Sequence, residues 1–195
     1  MVDIYQPMVY NNKCRVVGGN TYRKVMIHMK KVHTNKILFA KTKPEAIVPT
    51  KRVEDAGYDL YACFEEEYMV IKPHETKLIP TGIATAFSSE WVAIIKERGS
   101  TGTKGIGQRC GVIDSGFRSE WFVPVTNHND VPLIISKNPN LVSVPNVAIV
   151  YPYTKGIAQF IMLPVPNLET EEITHEELLT YSSERGTGAL GSSGK

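Results

Sequence analysis

From about Lys36 onward the chain is a succession of short apolar runs separated by turn residues: KILFAK, YDLYACF, EYMVIK, KLIPTGIATAF, WVAIIKE, GVID, EWFVPVTN, VPLIISK, NVAIVYPY and IAQFIMLPV. These runs are rich in Val, Ile, Tyr, Phe and Trp. Several alternate, as Tyr68 and Val70 do against Met69 and Ile71, which is the period of half-buried strands. Prolines at 73, 80, 124, 132, 145 and 152 would interrupt any helix laid over the same stretch. Many short strands in this pattern predict an all-β sandwich or barrel. One segment departs from it: EEITHEELLTY, residues 171–181, has the pattern of a short acidic helix. Residues 182–195 are rich in glycine and serine and read as an arm that orders on demand.

Residues 1–35 are polar and locally basic, with YRKVMIHMKKV compatible with either a strand or a helix. They form an N-terminal extension of unknown role, followed by a β-domain over 36–181 and the arm at 182–195. The whole chain has 195 residues, 42% hydrophobic and 22% charged, which suits one globular domain with extensions. A net charge of +2 is too balanced to make nucleic acid or an acidic membrane the main partner, so any anion site is local. Cys14, Cys63 and Cys110 are odd in number and widely spaced, which argues against a disulfide framework or a zinc knuckle and suits a reducing cytoplasm. No apolar run approaches the ~18 residues of a membrane span, and MVDIYQPMVY lacks the pattern of a secretory signal.

Three stretches carry candidate chemistry. KERGSTGTKGIGQRCG, residues 96–111, sets Arg98, Lys104 and Arg109 among glycines. Exposed backbone N–H groups beside a guanidinium suit phosphate, although a hairpin turn with incidental charge has the same composition. In GVIDSGFRSEW, residues 111–121, an apolar pair leads straight into Asp114. An acid at a strand end could hold a water and take its proton, or simply open a β-turn. In DAGYDLYA, Asp59 stands mid-strand, where acids are disfavoured. It faces solvent or reaches a hard cation through water, as carboxylates do for Mg²⁺.

Together with the C-terminal glycines, these pieces resemble the trimeric dUTP diphosphatases (dUTPases), a family with five short motifs in fixed order. AGYDLYA at 56–62 resembles the first motif, RGSTG at 98–102 the second, GVIDSGFR at 111–118 the third, KGIAQFI at 155–161 the fourth and RGTGALGSSG at 185–194 the fifth. The resemblance covers roughly Lys36 to Lys195. It implies a jelly-roll-like β-sandwich, a homotrimer with sites at subunit interfaces, and Mg²⁺-dependent hydrolysis of dUTP to dUMP and pyrophosphate. Such an enzyme keeps uracil out of DNA and supplies dUMP for dTMP synthesis.

The residue roles are likewise implied by the resemblance. Asp114 would deprotonate the water that attacks the α-phosphorus. Asp59 would meet Mg²⁺ through water. Arg98, Gly99, Ser100 and Gln159 would serve the phosphates, joined by Arg185, Gly191, Ser192 and Ser193 of the arm. The hairpin of Gln108, Gly111, Val112 and Ile113 would pair with uracil, with Phe117 flat against the deoxyribose and Leu190 over the base. Departures from the family pattern are Phe117 for Tyr, Ser119 for Gly, Gly99 for Ser, Leu190 for an aromatic ring, and no Asp-Arg pair before Ile157. Alternatives are dCTP deamination on the same fold, against which the intact GVID and the arm speak, and a nucleotide-sensing regulatory protein. In the latter, residues 1–35 or the long 127–150 segment would meet a protein partner.

Overall fold

The protein is described by a computed structural model, which covers residues 31–33, 35–109, 111–138, 140 and 147–188. Its chain divides into two units, Met1–Val165 and Pro166–Lys195. Twelve strands lie among the described residues of the first: β1 Leu38–Lys41, β2 Tyr58–Leu60, β3 Tyr68–Ile71, β4 Thr76–Pro80, β5 Ile83–Ala86, β6 Trp91–Lys96, β7 Ile106–Gln108, β8 Val112–Ile113, β9 Phe122–Asn127, β10 Leu133–Ser136, β11 Ile149–Pro152 and β12 Ala158–Pro164. The fold is all-β, as the alternation of the sequence requires. The strands form four small sheets, ordered β1-β5, β11-β10-β3, β2-β12-β6-β8 and β4-β9-β7. Within the long run KLIPTGIATAF, Gly82 at φ +67° breaks the strand into β4 and β5; a Cβ there would also stand 2.6 Å from the Ala46 methyl.

One apolar cluster fills the space between the sheets. Leu60, Ile71, Ile79, Ile95, Trp121, Val123, Val125, Leu133, Ile135 and Phe160 are all but fully buried in it. Phe160 is central. Tyr58 stacks on its ring at 4.9 Å, and Trp121 meets it edge-on at 5.1 Å. These contacts follow from register, because Phe160 on β12 is opposite Tyr58 on β2 and Ile95 on β6. Residues directly opposite in an antiparallel pair share a face. The outward face of the β4-β9-β7 sheet is also apolar: Leu78 opposes Pro124 and Pro80 opposes Phe122, leaving Leu78 60% and Phe122 44% exposed.

Of the 127–150 segment, Asn127 is its buried anchor, donating to the carbonyls of Ile71, Lys72 and Val131. Beyond it, β10 pairs in parallel with β11. Cys63 is a free, buried thiol, and burial pushes its pKa up; Cys14 and Cys110 lie outside the described residues. In the second unit, the helix expected over 171–181 is a single turn, α2, His175–Leu178, capped by the Thr174 hydroxyl accepting the Glu177 N–H. None of its residues is buried, so no packing extends the turn.

Phe160→Ala removes the ring on which Tyr58 and Trp121 both rest. Its expected cost is about 3–5 kcal/mol of stability, read by urea denaturation.

Candidate active site

Strand alternation decides the direction of Asp59. Tyr58 and Leu60 point into the core, so Asp59 points out, opposite Gln159 on β12, which in turn opposes Lys96 on β6. A polar row therefore crosses three strands on the face away from the core. Directly after β6, Arg98 folds back over this row. Its Nε donates to Asp59 Oδ1 at 2.7 Å and its Nη2 to Oδ2 at 3.0 Å. Nη1 donates to the Gly156 carbonyl at 3.0 Å and to Ser100 Oγ at 3.3 Å. The Gly156 carbonyl also accepts the Tyr151 hydroxyl at 2.7 Å. Both side chains of the ion pair are more than two-thirds buried, at 26% and 30% exposure.

The glycine-rich loop is partly helical. Arg98 is extended at φ −86°, ψ 151°, and Gly99–Gly102 form one turn, α1. Buried Thr101 closes it, its hydroxyl accepting the Arg98 N–H at 3.0 Å and donating to the Arg98 carbonyl at 2.9 Å. Around this turn opens a cleft of about 890 Å³ lined by Asp59, Arg98, Gly99, Ser100 and Gln159, with Lys51 and Arg52 from the loop before β2. The three basic residues of the loop do not act together: Arg109 Nε donates to Thr126 Oγ1 on β9, and neither Lys104 nor Arg109 lines this cleft.

Two glycines make room for these bonds. A Cβ on Gly57 would fall 2.2 Å from Gln159 Oε1, and one on Gly156 would meet Arg98 Nε and Asp59 at 3.3 Å. Gln159 is held by its Nε2 donating to the Glu97 carbonyl at 2.8 Å. Glu97, Gly57, Gly156 and Tyr151 were not among the residues expected from sequence. The acid beside Arg98 and the glycines flanking β2 and β12 were the available signals. The Glu97 carboxyl lies below the usual carboxylate range, held there first by its own backbone N–H and then by that of Gln108. A depressed acid stabilises the fold above its unfolded pKa, and that contribution is lost as pH falls through the folded value.

The second group of expected residues is on the segment that joins β7 to β8; the hairpin expected there does not form, because β7 pairs with β9 and β8 with β6, in different sheets. Gly111 has φ +126°, and its carbonyl accepts the Ile95 N–H at 2.8 Å. A Cβ there would stand 2.7 Å from the Ile95 carbonyl oxygen, so the segment lies against β6 only with glycine at this position. Gln108 turns its Nε2 onto the Arg109 carbonyl at 2.7 Å. Ile113 packs on the core, while Val112 is 66% and Phe117 41% exposed. Asp114 is exposed and opens a turn closed by the Phe117 N–H at 3.0 Å.

Gln108 reaches Glu97 beside Arg98, but Asp114 lies away from the Arg98 cluster within one chain. On β6, Val112 lies opposite Ile94 and Ile113 opposite Ala93, so β8 runs toward the start of β6 while Arg98 follows its end. Asp114 is thus abreast of Val92, six positions before Arg98, a separation of roughly 20 Å at the rise of a strand. In the second unit, Arg185 is exposed and its Nε donates to the Gly188 carbonyl at 2.9 Å. Leu190, Gly191, Ser192 and Ser193 lie outside the described residues.

Comparison with known proteins decides the family. The dUTPase family model matches residues 43–194. This chain belongs to the dUTPase family. Among curated dUTPases, deoxyuridine 5'-triphosphate nucleotidohydrolase of Gloeobacter violaceus is 34% identical over 143 residues, covering 72% of this chain and 83% of that one. The Nautilia profundicola enzyme of the same name is 33% identical over 164 residues, covering 82% and 99%. Among solved structures, the dUTPase of Staphylococcus bacteriophage 80alpha with dUpNHpp superimposes with a TM-score of 0.66 at 22% identity, covering 83% of this chain and all of that one. A native EIAV dUTPase matches at a TM-score of 0.53 and 21% identity, covering 72% and 98%. At such identities the structural likeness carries the fold.

Two glycines at this cleft separate close approach from open space. Gly57→Ala forces Gln159 off the Glu97 carbonyl, with an expected loss of about 1–3 kcal/mol. Gly99→Ala, where an added Cβ meets nothing within 4 Å, leaves stability unchanged or raises it by up to about 1 kcal/mol. Chemical denaturation of both variants checks the contrast.

Proposed function

We propose that the protein is a dUTP diphosphatase: dUTP and water give dUMP and pyrophosphate. The observation that carries this reading is the convergence of Asp59, Arg98, Ser100 and Gln159, from three separated motifs, on one cleft in a chain of the dUTPase family. The curated relatives described above are named for dUTP, not dCTP, so deamination is not favoured.

Phosphoryl transfer asks mainly for positioning and charge neutralisation. Of the five N–H donors of Arg98, four are engaged within the described chain. Its role is then to hold Ser100 and Asp59 in place and present a fixed positive charge, while the Gly99 and Ser100 end of α1 and the Ser100 hydroxyl meet phosphate oxygens. Gln159 donates within the same network. Phosphate binding is the role proposed for Arg185 as well, and for Gly191, Ser192 and Ser193 outside the described residues.

Among the described residues no three acidic, His or Cys side chains gather as a metal cage. Asp59 shares the wide cleft with Glu54 and Asp55; it is bonded through both oxygens to Arg98, and Asp55 is paired with Arg52. That donor set fits a Mg²⁺ that keeps its waters and arrives with the triphosphate, with Asp59 reaching it through water. When bound, the ion neutralises phosphate charge. A structural Mg(II) ion is described for the phage phi11 dUTPase of S. aureus.

On the base side, Gln108, Gly111, Val112 and Ile113 pair with uracil and Phe117 lies against the deoxyribose; the base-side role expected of Leu190 falls outside the described residues. Asp114 takes the proton of a water whose oxygen bonds to the α-phosphorus as the bond to pyrophosphate breaks. Asp114 and Arg98 are too far apart in one chain to serve one substrate, which supports a site shared between copies in a homotrimer. The face of exposed Leu78 and Phe122 with half-buried Pro80 and Pro124 is an apolar surface suited to contact between those copies. No helix among the described residues is long and apolar enough to cross a membrane. The proposed setting is the cytoplasm, where the reaction removes dUTP and supplies dUMP.

Asp114→Asn is expected to lower pyrophosphate release from dUTP by roughly 10²–10⁴-fold, and Arg98→Ala to be inactive as well. Co-refolding the two inactive variants restores activity, because some mixed sites then draw an intact Asp114 and an intact Arg98 from different chains. No recovery in mixed oligomers would reject the shared site, and a fully active Asp114→Asn would reject the mechanism.

A further inference from the structure

β7 is an edge strand of the β4-β9-β7 sheet. Its Arg109 end bonds inward, the Arg109 N–H donating to the Pro124 carbonyl at 2.9 Å. The neighbouring N–H, that of Gln108, therefore points off the sheet edge. Glu97 Oε1 accepts it at 3.2 Å. Glu97 lies just past β6, in a different sheet, one residue before Arg98. Its other oxygen stands 3.7 Å from Lys96 Nζ, and its carbonyl accepts Gln159 Nε2. Besides the ladders of β7 on β9 and β8 on β6, two contacts hold the segment between β7 and β8 to the end of β6. One, from Ile95 N–H to the Gly111 carbonyl, is backbone only. The other, at Gln108, depends on a side chain.

We propose that Glu97 is a positioning residue for the base-binding segment: its carboxylate fixes the Gln108 end against the Arg98 turn and so sets affinity for the nucleobase end of the ligand. This rests on the reading of residues 108–113 as the uracil-pairing segment. Glu97 acts through the Gln108 amide, and its negative charge makes that bond one of the stronger kind. The lowered pKa of the group agrees with a carboxylate that is hydrogen-bonded in its charged form.

The test compares Glu97→Ala and Glu97→Gln with the wild type by amide hydrogen exchange and by calorimetric binding of dUMP and of inorganic tripolyphosphate. In Glu97→Ala, the Gln108 amide is expected to exchange roughly tenfold faster and dUMP to bind roughly three- to tenfold more weakly, with tripolyphosphate binding unchanged. Glu97→Gln keeps an acceptor at Oε1 and restores most of both. Unchanged Gln108 exchange in Glu97→Ala overturns the proposal. So does an equal loss of dUMP and tripolyphosphate binding, the mark of general disruption, or a Glu97→Gln no better than Glu97→Ala. A wild type that binds no dUMP rejects the uracil reading and the affinity claim with it, while Gln108 exchange still decides whether Glu97 clamps the segment.

Discussion

The bidentate pair between Arg98 and Asp59 is the contact on which the rest of the site depends. Fork-to-carboxylate geometry spends two directed hydrogen bonds on one contact and leaves the guanidinium plane fixed. With that plane fixed, Nη1 reaches the Gly156 carbonyl and Ser100 Oγ together. Four stretches separated by up to about a hundred residues are thereby locked into one wall: β2, the turn after β6, the loop before β12, and Tyr151 behind Gly156. A half-buried ion pair has little claim as a source of stability, since desolvation offsets much of the attraction. Its value here is geometric. Removing either partner would leave a largely buried charge and loosen the other two contacts, to Ser100 and Gly156.

That wall is half of a site. The segment carrying Asp114 is built with equal definition, on Gly111 against Ile95 and on Glu97 against Gln108, yet it leaves β6 in the opposite direction. Strand register fixes each half within the chain. Association between copies is the proposed way in which an Asp114 comes to an Arg98 cluster. The proposed function therefore joins chemistry to quaternary structure: the water-activating acid and the phosphate-side cluster are supplied by different chains.

Much of this was legible in the sequence for identifiable reasons. Period-two alternation marked the strands, and the inward Tyr58 and Leu60 left Asp59 facing out whatever the partner strand. The motif stretches marked Arg98, Ser100, Asp114 and Gln159 as polar residues at strand ends or in glycine turns. Other features had no local signal. The helical turn inside the glycine-rich loop depends on the Thr101 hydroxyl, and glycine content alone suggested only a loop. Lys51 and Arg52 line the cleft because β2 pairs with β12, an association between residues a hundred positions apart. The acidic segment at 171–181 had a helical pattern, but a pattern without a buried face sustains only the turn that Thr174 caps.

By itself the sequence determined the all-β class and the family, and it named the candidate side chains. Those follow from local periodicity and from short motifs, both of which are properties of neighbours along the chain. Only the tertiary structure decided that Arg98 is committed to Asp59, that Gly57 and Gly156 are spaces rather than hinges, and that Glu97 reaches the edge of another sheet. It alone set Asp114 apart from Arg98. These are consequences of strand register and sheet order, which fix distances between residues that the linear order leaves free.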